Sequence, residues 1–148
     1  MKERIMDGDY IASLGNDEKI IFLKIFCKMI NVDGSVDGEE INFLKGVAVR
    51  FGVNKDLVLD IVKMSSLIDV VDEAKKITVR SHALQLVKEL CVLANIDENL
   101  HDNELDLIID CARAMNIEDD RVILINRYVL DSLVLAKTGK IILEENDE

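Results

Sequence analysis

The 148-residue chain has no proline and no tryptophan, and only four Phe and two Tyr. Without proline nothing compels a helix to break, so turns fall to Gly, Asn and Asp. With so few rings the core has to be aliphatic. The three cysteines, Cys27, Cys91 and Cys111, are an odd number without a Cys-x-x-Cys pair. They exclude a disulfide framework and read as reduced, buried thiols of a cytoplasmic protein. The two histidines, His82 and His101, form no zinc motif. Basic residues are scarce, 18 Lys and Arg against 29 Asp and Glu, for a net charge of −11. That balance excludes the Lys and Arg stripes that hold nucleic acid, and it suits cations or basic partners. No long apolar run exists either. Residues 20–30 are the most apolar stretch, but Lys24 and Lys28 interrupt it and it is too short to cross a bilayer. The opening Met-Lys-Glu-Arg-Ile-Met-Asp-Gly has no signal-peptide core. A soluble cytoplasmic protein without membrane insertion is expected.

What the chain does have is a repeat. Asn31-Val32-Asp33-Gly34-Ser35-Val36-Asp37-Gly38-Glu39-Glu40-Ile41 returns 64 residues later as Asn95-Ile96-Asp97-Glu98-Asn99-Leu100-His101-Asp102-Asn103-Glu104-Leu105. Each copy follows an apolar stretch carrying a cysteine, Cys27 or Cys91, and precedes a helix-like segment.

The periodicity is helical throughout. Asn16-Asp17-Glu18 reads as a helix start, a capping side chain followed by acids. The segment to Ile30 is apolar nearly all round, with Asp17, Lys24, Lys28 and Asn31 on a narrow polar stripe. Residues 80–95 repeat that design around Ser81, Gln85, Lys88 and Asn95. Such helices belong inside a bundle. After each loop comes an amphipathic helix, marked by Ile41, Leu44, Ala48 and Phe51 in one copy and Leu105, Ile108, Ala112 and Met115 in the other. Both should stop at one place, because Gly52 aligns with Asn116 and these two residue types tolerate the left-handed conformation of a helix C-terminus. A third helix is expected over about 54–64 and about 118–137, a short one over 69–76, and a turn or two around residues 10–14. The fold class is all-α: six to seven helices in two pseudo-symmetric halves, repeats at about 17–64 and 80–137, one domain over 1–143 and an acidic tail over 144–148.

At positions 1, 3, 5 and 8 the loops supply Asp33, Ser35, Asp37 and Glu40, and Asp97, Asn99, His101 and Glu104. All eight can ligate a cation, and oxygen ligands two residues apart suit calcium. An EF-hand fails in either register. From Asp33, position 12 is Leu44; from Met29, position 1 is Met29 in one copy and Leu93 in the other. His101 leans its loop towards zinc or manganese. The competing reading is structural: Asp37-x-x-Glu40 resembles a capping box, with Asp102 available as the cap in the second copy. In that case the chain is an interaction or scaffold module whose acids only cap helices. No organic cofactor is expected and no catalytic constellation stands out, since no Gly-rich phosphate loop or nucleophile–base motif appears.

The apolar helix followed by Val-Asp-Gly-Ser-Val-Asp-Gly-Glu-Glu-Ile-Asn-Phe-Leu and then Phe-Gly-Val resembles the TerB-like tellurite-resistance family. It is similar also to the segment preceding the J-domain of a membrane-anchored DnaJ-like co-chaperone. The resemblance covers about residues 17–136. It implies an all-helical duplicated domain with an acidic, metal-binding surface and a role in bacterial stress response or as an interaction module, with a protein partner or a homodimer. Its motif acids fall on Asp33 and Glu40, and on Asp97 and Glu104. Glu98 replaces the motif glycine and His101 stands opposite Asp37.

Overall fold

Two helices with almost no polar side set the architecture. In the computed structural model, which describes residues 8–30, 38–96 and 102–144, all regular structure is helical. The order is α1 (Gly8–Ala12), α2 (Asn16–Ile30), α3 (Gly38–Arg50), α4 (Asp56–Lys63), a 3₁₀ turn (Ser65–Leu67), α5 (Val70–Lys75), α6 (Arg80–Ile96), α7 (Asp102–Ala114) and α8 (Asp119–Leu143). That is eight α-helices among the described residues rather than six to seven. The turn expected near residues 10–14 is a helix of its own, and the last helix continues past 137 to Leu143. It does so through Gly139 because an interior glycine costs only about 1 kcal/mol when no proline follows.

Residues of α2 are buried on several sides at once, among them Phe22, Leu23, Ile25, Phe26 and Met29; α6 matches them with Leu86, Val87, Leu90, Val92 and Ala94. Phe51, at the end of α3, meets Phe22 and Phe26 edge-on, with ring centroids 6.5 and 5.9 Å apart. Helices α3 and α4 pack on α2, while α7 and α8 pack on α6. Short α5 contacts both α2 and α7 and so ties the two groups together. Its Asp69 caps it, accepting from Asp72 N–H at 3.1 Å. Glu73 of α5 is buried and takes Lys24 Nζ and Lys76 Nζ, each at 3.3 Å.

The start of α8 is clamped by Arg80 on Glu118 and by Arg113 on Asp119, both at 2.8 Å. The guanidinium hydrogen bonds hold both carboxyls below their usual range. A carboxyl whose folded value lies below its unfolded one contributes fully at neutral pH, and loses that contribution as acid protonates it. The clamps therefore weaken only in acid, below the ordinary carboxylate range.

Helices α3 and α7 end alike. Gly52 has φ +75° and Asn116 has φ +60°. The closing bonds match too, Val53 N–H to Ala48 O at 2.9 Å and Ile117 N–H to Ala112 O at 2.8 Å. Each left-handed residue lets the chain turn sharply into the next helix. A side chain at Gly52 meets nothing closer than ordinary contact with Lys19, so Gly52→Ala isolates the backbone penalty. It should cost about 1 kcal/mol, whereas Asn116→Gly should stay within about 0.5 kcal/mol of the parent. Urea unfolding midpoints of the two variants check this, and an unchanged midpoint for Gly52→Ala would contradict the left-handed cap.

Candidate functional site

Of the eight candidate ligands, Asp33, Ser35, Asp37, Asp97, Asn99 and His101 lie outside the described residues. Glu40 and Glu104 lie inside them. Each is the third residue of its helix, because α3 opens at Gly38 and α7 at Asp102. Glu40 is half-buried and Glu104 is 7% exposed. Third in the first turn is where the acid of a capping box belongs, and a carboxylate there also favours the positive end of the helix dipole. Asp102 is the first residue of α7. Among the described residues no group of three His, Cys, Asp or Glu side chains is gathered to hold a metal.

The helices that carry the loops do meet around one open groove of about 550 Å³. Lys28, near the end of α2, lines it together with Asp106, Leu107 and Asp110 of α7 and with residues 66–71, including Asp69. Three carboxylates and one ammonium face the same shallow space. The helix leading into the first loop and the helix leaving the second are thus neighbours across α5.

Two polar contacts escaped the sequence reading. The first is His82, whose Nδ1 lies 2.8 Å from Glu18 Oε2, both side chains about three-quarters buried. Tyr10 of α1 stands edge-on to the same imidazole, 6.3 Å away. Glu18 and His82 are themselves 64 residues apart and occupy equivalent places in α2 and α6. The second is Glu89, which is fully buried in α6. Gln85 Nε2 donates to its Oε1 at 2.7 Å, and Lys88 Nζ stands 3.6 Å from the same oxygen. The i, i+4 spacing of Gln85 and Glu89 was readable, but Glu89 sits among apolar neighbours, off the polar stripe. Asn95, on that stripe, ties α6 to α8 by donating to Asn126 Oδ1 at 2.8 Å.

The cysteines are buried, as expected. Burial pushes the thiols of Cys91 and Cys111 up to about 12, and it raises Cys27 as well. A thiol held protonated at neutral pH is a poor nucleophile and a poor metal ligand.

Compared with protein-family models, with curated proteins and with solved structures, the chain finds no match.

The thiols give a direct test of the core. In the folded protein at pH 7.5, Cys27, Cys91 and Cys111 should react with a thiol reagent slower than a free cysteine by roughly a hundredfold or more, and all three should react once urea unfolds the chain. Stoichiometric labelling within minutes under native conditions would show that these sites open.

Proposed function

We propose that the chain is a TerB-like helical protein of two pseudo-symmetric halves, without catalytic chemistry of its own, that binds a divalent cation through its duplicated acidic loops. Asp33, Ser35, Asp37 and Glu40 would serve one loop, and Asp97, Asn99, His101 and Glu104 the other. The observation that carries this reading is the common frame of the two loops. Helices α3 and α7 span equivalent residues at the 64-residue offset, both end on a left-handed residue, and both set a glutamate third in the first turn. The Glu18–His82 contact supports a shared axis, since two equivalent residues touch only where halves related by such an axis meet.

The donor set fits a hard cation. Five of the eight side chains are carboxylates and two more offer neutral oxygens, the kind of shell that calcium takes. His101 admits manganese or zinc at the second loop. A bound cation would offset like charge in a chain of net charge −11 and draw each loop onto the helix that follows it. The setting that the family resemblance suggests is the bacterial stress response linked to tellurite resistance.

Thermal melting in EDTA and then in Ca²⁺, Mn²⁺ or Zn²⁺ tests the reading. A cation at a hundred times its Kd stabilises the folded state by about 2.7 kcal/mol, which is roughly 5–10 °C for a chain of this size. Asp33→Asn and Asp97→Asn should each remove part of that rise. An unchanged melting temperature at millimolar metal would leave the loops as helix caps and the cation reading void.

A further inference from the structure

The face of α8 turned away from the bundle is apolar and uncovered. Val122 and Val129 anchor the helix to the bundle. On the other side Ile123, Leu124, Tyr128, Leu130, Val134 and Leu135 are 42–74% exposed, and the last turn, Ile141–Leu143, is 72–81% exposed. The six from Ile123 to Leu135 together present on the order of 700 Å² of surface. The largest apolar patch of a typical monomer is roughly 300–600 Å², and a stable interface takes about 800 Å² from each partner. Within the stretch from Ile123 to Leu135 two charges interrupt the face, Arg127 and Asp131, one turn apart and both exposed. Neither makes an ion pair among the described residues.

We propose that this face binds a second copy of the chain, the two α8 helices packing antiparallel about a twofold axis that passes between Arg127 and Asp131. The argument is self-complementarity. In that register Arg127 of each protomer stands level with Asp131 of the other, giving two symmetry-related pairs at the centre. Leu124 comes level with the partner's Val134, Ile123 with the partner's Leu135, and Tyr128 with the partner's Leu130. Residues brought level lie on opposite sides of the midline of the face, so Ile123 packs beside the partner's Val134, Leu124 beside the partner's Leu135, and Tyr128 and Leu130 each beside their own copy, while Asp120 falls level with the partner's Thr138. A parallel pairing would set Arg127 against Arg127 and Asp131 against Asp131, and an antiparallel shift of four residues would set one of the two against its own copy and the other against an apolar side chain. Opposed charges within an apolar seam fix register in this way. The helix dipoles favour the antiparallel arrangement as well.

This inference goes beyond the cation reading and does not depend on it, so the dimer should be unchanged in EDTA. Sedimentation velocity on the full chain is the test. The parent should be a dimer in the micromolar range. Arg127→Asp and Asp131→Arg, both at exposed positions, should each weaken association roughly a hundredfold or more, because each sets like charges face to face across the axis. The doubly exchanged chain, Arg127→Asp with Asp131→Arg, should dimerise again. Mixing the two single variants should give a heterodimer, since one then carries two acids and the other two bases at the seam. A parent that stays monomeric into the hundred-micromolar range overturns the proposal, as does a dimer that neither single variant weakens. A monomeric parent that floats with vesicles of phosphatidylcholine and phosphatidylglycerol would assign the face to lipid and overturn it equally.

Discussion

The structure depends on the need to keep α2 and α6 out of water. A helix with one apolar stripe needs one neighbour; a helix apolar on most of its circumference needs several. Phe22, Phe26, Leu86 and Leu90 are each almost wholly buried, and each contributes about 1.5–3 kcal/mol by leaving water. No surface ion pair on this chain competes with that. The surrounding helices follow as coverings: α3 and α4 over α2, α7 and α8 over α6, and α5 across the seam. Several carboxylates near these helices are held in company. Glu73 is held by two lysines, Glu18 faces His82, and fully buried Glu89 draws on Gln85 and Lys88. Removing one partner from such a group costs more than the pair contributes, because a charge is then left in a poorly solvated place.

The coverings also decide what the loops can be. Both helices that follow the loops open and close at equivalent residues, so whatever the loops do they are presented by matching supports. The difference lies in the acids. Glu104 is buried at the start of α7, while Glu40, its counterpart in α3, remains half-exposed. An acid third in a helix can stabilise that helix or serve a ligand, and the more deeply it is buried the more the first role constrains it. The second copy, with Glu98 where the first has glycine and His101 where the first has aspartate, is thus the one whose glutamate is more constrained.

Most of the helices were legible because their patterns were strong. Asn16 as a helix start, the left-handed stops at Gly52 and Asn116, and the short helix capped by Asp69 each follow from local chemistry that tertiary packing did not override. Long-range partners were not legible. Nothing in the residues around His82 shows that Glu18 will face it, nor does the stretch around Glu89 show that it will be enclosed, since both facts come from how α2 and α6 sit in the bundle. The end of α8 was missed for a local reason. Thr138 and Gly139 look like a stop, but with no left-handed residue there and no proline beyond, the helix runs on for another turn. Of the candidate site, only Glu40 and Glu104 lie among the described residues, each third in its helix.

The departure from the repeat falls on the third helix of each set. In the first, α4 has 8 residues and covers α2; in the second, α8 has 25 and is about 38 Å long, far more than covering α6 requires. Its extra length is not polar filler. Leu135, Ile141, Ile142 and Leu143 are apolar and mostly exposed, and a solvated helix has no use for them. At the 64-residue offset the first part of α8 matches α4, down to the buried Val122 and its counterpart Val58. The remainder has no counterpart in α4. A frame that two copies share answers for the fold, so what is present in one copy alone has to be accounted for by something outside the fold. In this chain that is the exposed, self-complementary face of α8.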